Sequence, residues 1–308
     1  MVSQLGLRVV SLYIGGGTPT SLPPEALETL MSALEASFDL TQALEYTVEA
    51  GRPDTITARK LEILSRFGVS RVCVNPQSMS ANVLSAIGRR HTPEDVFEAV
   101  RLVRGMAHNE TAAAHSGTAA HSGTAAYSGT AMHIAAPAMA LNMDIIAGLP
   151  GDTPEGFSQT LDTVLGLKPE NITVHTLSLK KGSRIMLEGI PIPCGADVAR
   201  MLEYAASRLR GNGFLPYYLY RQKFTSGGFE NTGWTQAGFE GIYNICMMEE
   251  LCTVLALGGG GVTKLVSPGG KISRIFNAKY PREYILQSEK TAAKINEIRE
   301  FYVSALTN

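Results

Sequence analysis

Residues able to hold a charged, hydroxyl-rich ligand recur along this chain at the ends of apolar runs. Three consecutive glycines, Gly15, Gly16 and Gly17, followed by Thr18 and Pro19, close the β-branched stretch at residues 9–14. Glycine has no Cβ, so a ligand can lie directly against the main chain there. Glu49 ends a second such run, Gln77 stands just past a third, Asp144 lies within a fourth, and Ser178 follows a fifth. Carboxylates at these points would take hydroxyls and positive charge, and exposed backbone an ammonium. A guanidinium would hold a carboxylate as a fork. Each has a plainer role open to it. Glu49 can accept from its own loop, Gln77 after Pro76 can be a turn residue, and Asp144 can be an interior carboxylate paired with Arg89.

The elements that must place these residues are legible as strand and helix in alternation. Strands are predicted at residues 9–14, 44–48, 69–74, 143–147 and 172–177, the last taken as the final strand of the set. Between them, Leu27, Leu30, Met31, Leu34 and Phe38 form one helical stripe, and a helix near Thr57 ends at Gly68. Thr92-Pro93-Glu94-Asp95 starts a helix expected over 93–104, and Thr153-Pro154-Glu155 repeats the device. Repeated strand–helix units with apolar strands give an α/β fold whose parallel sheet closes wholly or partly into a barrel, with ligand loops at the strand C-termini. Beyond residue 185 the regularity changes. Helices are expected at 196–210 and 243–255, an extended run at 216–220, a hairpin pairing 262–266 with 272–276 through Pro268-Gly269-Gly270, and two short closing helices.

Residues 106–140 break the pattern. HSGTAA occurs twice in tandem and decays to YSGTAM, a composition too small and polar to offset its ordering entropy, so a disordered surface insert is expected. Its histidines, His108, His115, His121 and His133, fit no compact metal site. Nor do the cysteines: Cys73, Cys194, Cys246 and Cys252 contain no Cys-x2-Cys or Cys-x3-Cys pair, and Cys246 and Cys252, six apart, would face opposite sides of a helix. With 308 residues, 44% hydrophobic, the chain can bury a large core. A net charge of −1 with no basic block argues against nucleic acid. Neither a signal segment nor a membrane-length apolar run is present, and a cytoplasmic location is the default expectation.

The glycine loop, YTVEAGRPDTI at 46–56, VNPQSM at 74–79, IGRRHTPEDV at 87–96 and NMDIIAGLPGDTPEGF at 142–157 occur in an order and spacing that closely resemble the radical S-adenosylmethionine (SAM) enzymes of the oxygen-independent coproporphyrinogen III oxidase family. PYYLYRQK at 216–223 and IYNICMMEELCTVLALGGGGVTK at 242–264 look like its coproporphyrinogen dehydrogenase branch. The resemblance implies a radical-SAM TIM-like (β/α) barrel over 1–185, lacking its first βα unit, and a smaller α+β domain over 186–308 that covers substrate. It implies that Gly16, Gly17 and Thr18 line the methionine part of SAM, that Glu49, Gln77, Arg89 and Asp144 contact its polar groups, and that Ile146 and Ser178 lie near the adenosine. Ser178 stands where relatives often carry alanine. Such enzymes cleave SAM reductively beside a [4Fe-4S] cluster and take hydrogen from a propionate of coproporphyrinogen III, which loses CO2 to leave a vinyl group in haem biosynthesis.

Substrate propionates need cations, supplied either by Lys180, Lys181 and Arg184 or, better placed among tyrosines, by Arg221 and Lys223. An electron donor and an acceptor, both unidentified, are implied as partners. The family's Cys-x3-Cys-x2-Cys motif precedes the glycine loop, whereas this chain starts eight residues ahead of Val9. The expectation is therefore that the cluster ligands are absent, that this chain alone performs little radical chemistry, and that a separate polypeptide could carry the cluster. The alternative is a non-catalytic haem- or tetrapyrrole-binding or trafficking protein. A phosphate-binding barrel using Gly15–Gly17 ranks last, since no lysine is near that loop.

Overall fold

The computed structural model describes residues 2, 5–114, 139–179, 182–267 and 269–307. Most of the expected insert, Lys180, Lys181 and Pro268 lie outside them. The chain divides into two compact units.

The larger unit, residues 11–36 and 45–240, is built on one curled seven-stranded half-barrel sheet. Strand β1 (Ser11–Ile14) is followed by helix α1 (Pro24–Ser37), β2 (Glu45–Glu49), α2 (Ala58–Arg66), β3 (Arg71–Gln77), α3 (Ala81–Ala86) and α4 (Pro93–Ala114). Then come β4 (Ala140–Ala147), α5 (Pro154–Gly166), β5 (Asn171–Thr176), α6 (Arg184–Leu187), α7 (Gly195–Gly211), β6 (Leu215–Tyr220) and β7 (Asn231–Thr235). Strands β1 to β5 pair in parallel in chain order. The expected helix starts are present: Thr57 Oγ1 accepts from Lys60 N, Thr153 Oγ1 from Gly156 N at 3.0 Å, and Thr92 and Asp95 cap each other. Such caps contribute about 1 kcal/mol each. Helix α4 runs past the predicted residue 104 into the segment expected to lack structure.

Two expectations need correction. The sheet does not end at β5, because β7 adds to β5 antiparallel and β6 pairs with β7 on its far side. Consequently the expected boundary at 185/186 does not separate compact units; residues 186–240 hydrogen-bond into the barrel sheet, and the division falls at 240/241.

Side chains alternate across the sheet. Val48, Val72, Val74, Leu141, Met143, Ile145, Ile172 and Val174 are fully or almost fully buried and supply the apolar face. Leu27, Leu61, Leu64, Val96, Phe157, Leu161 and Val198 of the helices are equally buried. The other face is polar: Glu45, Thr47 and Glu49 on β2; Arg71, Cys73, Asn75 and Gln77 on β3; Asn142 and Asp144 on β4; Asn171, Thr173 and His175 on β5. In an ordinary (β/α)8 barrel branched apolar residues fill that interior. A polar interior must instead be satisfied internally or by a ligand.

At the N-terminal ends of the strands the satisfaction is internal. Arg71 lies near Glu45 (3.9 Å), donates to Asn171 Oδ1, and donates to the carbonyls of Phe239 (2.9 Å) and Glu240 (3.4 Å). Asn171 Nδ2 donates to Thr235 Oγ1 and to the Phe239 carbonyl. This network closes the base.

The smaller unit gathers residues 1–10, 37–44 and 241–308. It holds α8 (Ile242–Met248), a hairpin of β8 (Val262–Val266) and β9 (Ile272–Phe276) in the expected register, then α9 (Pro281–Leu286) and α10 (Ser288–Thr307). Leu265, Ile275 and Ile298 form its core. Helix α8 stops well short of the predicted residue 255, because Glu250 takes a left-handed conformation (φ 54°) and Val254 is drawn into a backbone bridge with Lys264. The last helix is long rather than short.

Candidate functional site

Above the base, the polar face opens at the C-terminal ends of the parallel strands. Glu49 and Asp144 both face this rim, near enough for the Asp144 charge to act on the Glu49 carboxyl. Burial raises the Glu49 carboxyl, and the nearby Asp144 charge adds to that; the Tyr13 hydroxyl, at 2.5 Å, and the Gly16 amide pull the other way without cancelling it. Asp144 behaves oppositely. Burial alone would raise it, yet hydrogen bonds from His175, Asn142 and Thr173 hold it below the usual carboxylate range. Two neighbouring carboxyls are thus driven apart, the pattern of a site that handles charge.

His175, not Arg89, is the partner of Asp144: its Nε2 lies 3.5 Å from Asp144 Oδ2, and its Nδ1 lies 3.3 Å from the Tyr220 hydroxyl. The ring thus faces the Asp144 carboxylate with Nε2 and the Tyr220 hydroxyl with Nδ1. Burial raises the Tyr220 phenol, and the Asp144 charge raises it further, so it stays a donor. Below these, Tyr218 reaches Thr173 Oγ1 (3.2 Å). Its ring crosses Gly233 of β7, where a Cβ would lie 1.8 Å from ring carbon Cε1. Gly233 is therefore what lets a β6 tyrosine touch β5.

Strand β3 ends irregularly, with a register shift between Val74 and Gln77, and Gln77 at φ 65°. That conformation is strained for a residue with a side chain, a device found where function fixes geometry. Asn75 and Gln77 are 8% and 7% exposed, and Asn75 Oδ1 and Gln77 Oε1 have no hydrogen-bond donor. Buried acceptors left without donors cost about 1–3 kcal/mol each. His91, buried, ties the following loop to β3 through Nε2 and the Pro76 carbonyl at 3.1 Å. Arg89 in that loop is half-buried, its guanidinium made less basic by burial and by Arg52, with Asp54 opposing.

The glycine loop is placed by its neighbours. Lys60 Nζ donates to the carbonyls of Thr20 (2.5 Å) and Thr55 (3.0 Å), and the Thr20 and Thr55 hydroxyls meet at 2.7 Å, lashing the loop after β1 to the loop after β2. Gly16 (φ 82°) and Gly17 face open space. Gly15 does not: a Cβ there would come within 2.7 Å of the Tyr13 ring and 3.0 Å of the Glu49 carboxyl carbon. Gly15→Ala is expected to destabilise by about 1–3 kcal/mol through overpacking, measured by urea denaturation, whereas Gly17→Ala, whose Cβ would meet open space, should cost less.

Ile146 shares the Asp144 face of β4 and pairs with His175 in register. Thr18 opens the short 3-10 turn Pro19–Ser21. Ser178 Oγ donates to the Lys223 carbonyl (2.8 Å), and Ser178 bridges to Thr225, so loop 221–230 runs beside the end of β5. Arg221 and Lys223 are exposed on that loop, Arg221 paired with Glu230 at 3.0 Å. Tyr13, His175 and Tyr220 were not singled out from sequence as site residues. The available signal was alternation, since Thr173 and His175 lie on the side of β5 that Asp144 takes on β4.

Taken together, the rim offers open backbone, one carboxylate held ionised, one held up and two donorless acceptors, while the Arg89 guanidinium stands with Arg52 and Asp54. That set fits a ligand with ammonium, carboxylate, hydroxyl and cationic groups. Among the described residues no three His, Cys, Asp or Glu side chains are grouped to hold a metal ion, and no helix is long and apolar enough to cross a membrane.

Comparison with known proteins points the same way. Residues 3–113 match the profile of the radical SAM superfamily. The chain is 36% identical over 301 residues to the oxygen-independent coproporphyrinogen-III oxidase-like protein HemZ of Bacillus subtilis, covering 96% of this chain and 54% of that protein. It is 25% identical to the heme chaperone HemW of Haemophilus influenzae, over 96% of this chain and 67% of that one. Among solved structures, the coproporphyrinogen III oxidase of Escherichia coli, a radical SAM enzyme, superposes with a TM-score of 0.65 at 19% identity, over 92% of this chain and 58% of that one. The chain thus spans about half the length of the first of these relatives.

Proposed function

We propose, on the premise that this chain belongs to the radical SAM superfamily and to its family of oxygen-independent coproporphyrinogen III oxidases and oxidase-like proteins, that the half-barrel rim binds S-adenosylmethionine for the oxidative decarboxylation of a tetrapyrrole. The observation that carries this reading is the pair of buried acceptors, Asn75 Oδ1 and Gln77 Oε1, left without donors beside Glu49 and Asp144. Gly16, Gly17 and Thr18 would lie along the methionine portion. Glu49, Gln77, Arg89 and Asp144 would take its charged and hydroxyl groups, and Ile146 and Ser178 would flank the adenosine. S-adenosylmethionine held there would supply one-electron, hydrogen-abstracting chemistry only beside a [4Fe-4S] cluster, for which the described residues group no ligands.

The chain's own contribution is orientation and charge. His175 fixes Asp144 as an acceptor, Tyr13 fixes Glu49, and the lashed glycine loop holds the backbone open. Coproporphyrinogen III is the proposed substrate because several relatives are named for its oxidation. Arg221 and Lys223, on the loop beside β5, are the proposed contacts for its propionates, and an external electron donor and acceptor complete the reaction.

The similarity to heme chaperones, which extends over 96% of this chain, favours a second reading in which the same protein carries a tetrapyrrole without oxidising it. Calorimetric titration with S-adenosylmethionine is expected to give saturable binding, weakened at least about tenfold by Asp144→Asn. Absence of binding, or binding that ignores the substitution, overturns the cofactor assignment. Porphyrin titration with and without S-adenosylmethionine separates the two functions, since a carrier binds porphyrin equally in both.

A further inference from the structure

Cys246 and Cys252 were expected on opposite sides of a helix, but their sulfurs lie 3.4 Å apart. The helix ends at Met248, the Glu249 amide caps it on the Ile245 carbonyl (2.9 Å), and Glu250 at φ 54° reverses the chain. Cys252 thereby returns to the side of α8 that carries Cys246. We propose that these two cysteines form a redox-active dithiol that closes to an intramolecular disulfide by exchange with a low-molecular-weight disulfide.

The frame around the pair holds it in place. Thr253, next to Cys252, accepts from Val266 N (2.9 Å) and from the Tyr302 hydroxyl, and Val254 exchanges backbone hydrogen bonds with Lys264 (2.8 and 2.9 Å). On the other side, Lys264 Nζ donates to the Met247 carbonyl at 3.0 Å, beside Cys246, and Glu250 is gripped by Arg274 (3.0 Å) and Lys264 (3.7 Å). One buried lysine therefore ties the segment carrying Cys252 to the last turn of α8. A disulfide bond is about 2.05 Å long, so closure needs roughly 1.4 Å of approach between the sulfurs. Both thiols are partly exposed, whereas Cys73 is buried.

The exchange balances without a further reactant. One thiolate attacks the reagent disulfide, forming a mixed disulfide and releasing one reagent thiol. The second cysteine displaces the remaining reagent thiol, so two electrons pass from protein to reagent and both protein protons end on the released thiols. This inference is independent of the proposed cofactor site, which involves neither residue.

The test is incubation of the whole chain with oxidised glutathione, followed by thiol counting in denaturant and peptide mapping. The sequence has four cysteines; the expected result is loss of two thiols, a peptide linking residues 246 and 252, and full recovery with dithiothreitol. Cys246→Ser and Cys252→Ser should each retain one glutathione as a stable mixed disulfide at the remaining partner, and Cys194→Ser should behave as the parent. A bridge to Cys194 or Cys73, retention of all four thiols, or single variants that still form an intramolecular bond overturns the proposal.

Discussion

Glu49→Gln is expected to make the protein harder to unfold and at the same time poorer at binding S-adenosylmethionine. Burial raises the Glu49 carboxyl above its ordinary value of 4.5. A carboxyl raised by folding contributes stability only while it is protonated, at pH below the unfolded value, and that contribution is lost as pH rises through the folded value. The ionised form of Glu49 is therefore a liability to the empty fold, and a neutral glutamine that still accepts from Tyr13 removes it. Urea denaturation at pH 7 should show the variant more stable than the parent, with the difference shrinking as pH falls through the raised folded value and gone below about 4.5. A hydrogen bond to a charged group is worth about 1.5–3 kcal/mol, so the loss in affinity should be roughly ten- to a hundredfold. The neutral thioether S-adenosylhomocysteine should lose less than the sulfonium, because the missing charge matters less to it. A variant no more stable than the parent, with unchanged affinity, would show that Glu49 serves the fold alone.

The second large effect belongs to the base. Arg71→Leu leaves Glu45 (4% exposed) without the guanidinium 3.9 Å away and removes the donor that reaches Asn171, Phe239 and Glu240. Breaking such a buried pair from one side costs about 3–5 kcal/mol, mostly the penalty of the stranded charge. Replacing both members, Arg71→Leu with Glu45→Met, should recover much of that loss. A double-mutant cycle by chemical denaturation checks it, and additivity of the two single losses would mean that the pair is not coupled.

Much of this architecture was legible because its signals are local. Apolar runs marked β2 to β5, threonine caps marked the starts of α2, α4 and α5, and the β8–β9 hairpin announced its turn. Glu49 and Gln77 were legible because each closes a strand, and Asp144 because it is a carboxylate within an apolar one. What escaped depends on partners remote in sequence. Strand β7, Asn231–Thr235, is short, contains Gly233 and has no alternating run, so nothing local shows that it lies antiparallel beside β5. His175 is a single histidine in an apolar strand until Asp144 and Tyr220 are seen on either side of it. The Cys246–Cys252 approach follows from one left-handed glutamate, a conformation that residue type does not announce.

Strand β7 runs from rim to base, and so one hairpin serves both ends of the half-barrel. Its connection, residues 221–230, leaves and re-enters the sheet at the upper edge, while the chain just past it supplies the carbonyls of Phe239 and Glu240 that seal the bottom. Connections of this kind tolerate changes in length at modest entropic cost. Changes of length or charge confined to this loop are therefore expected to leave both the strand pairing and the seal beneath intact.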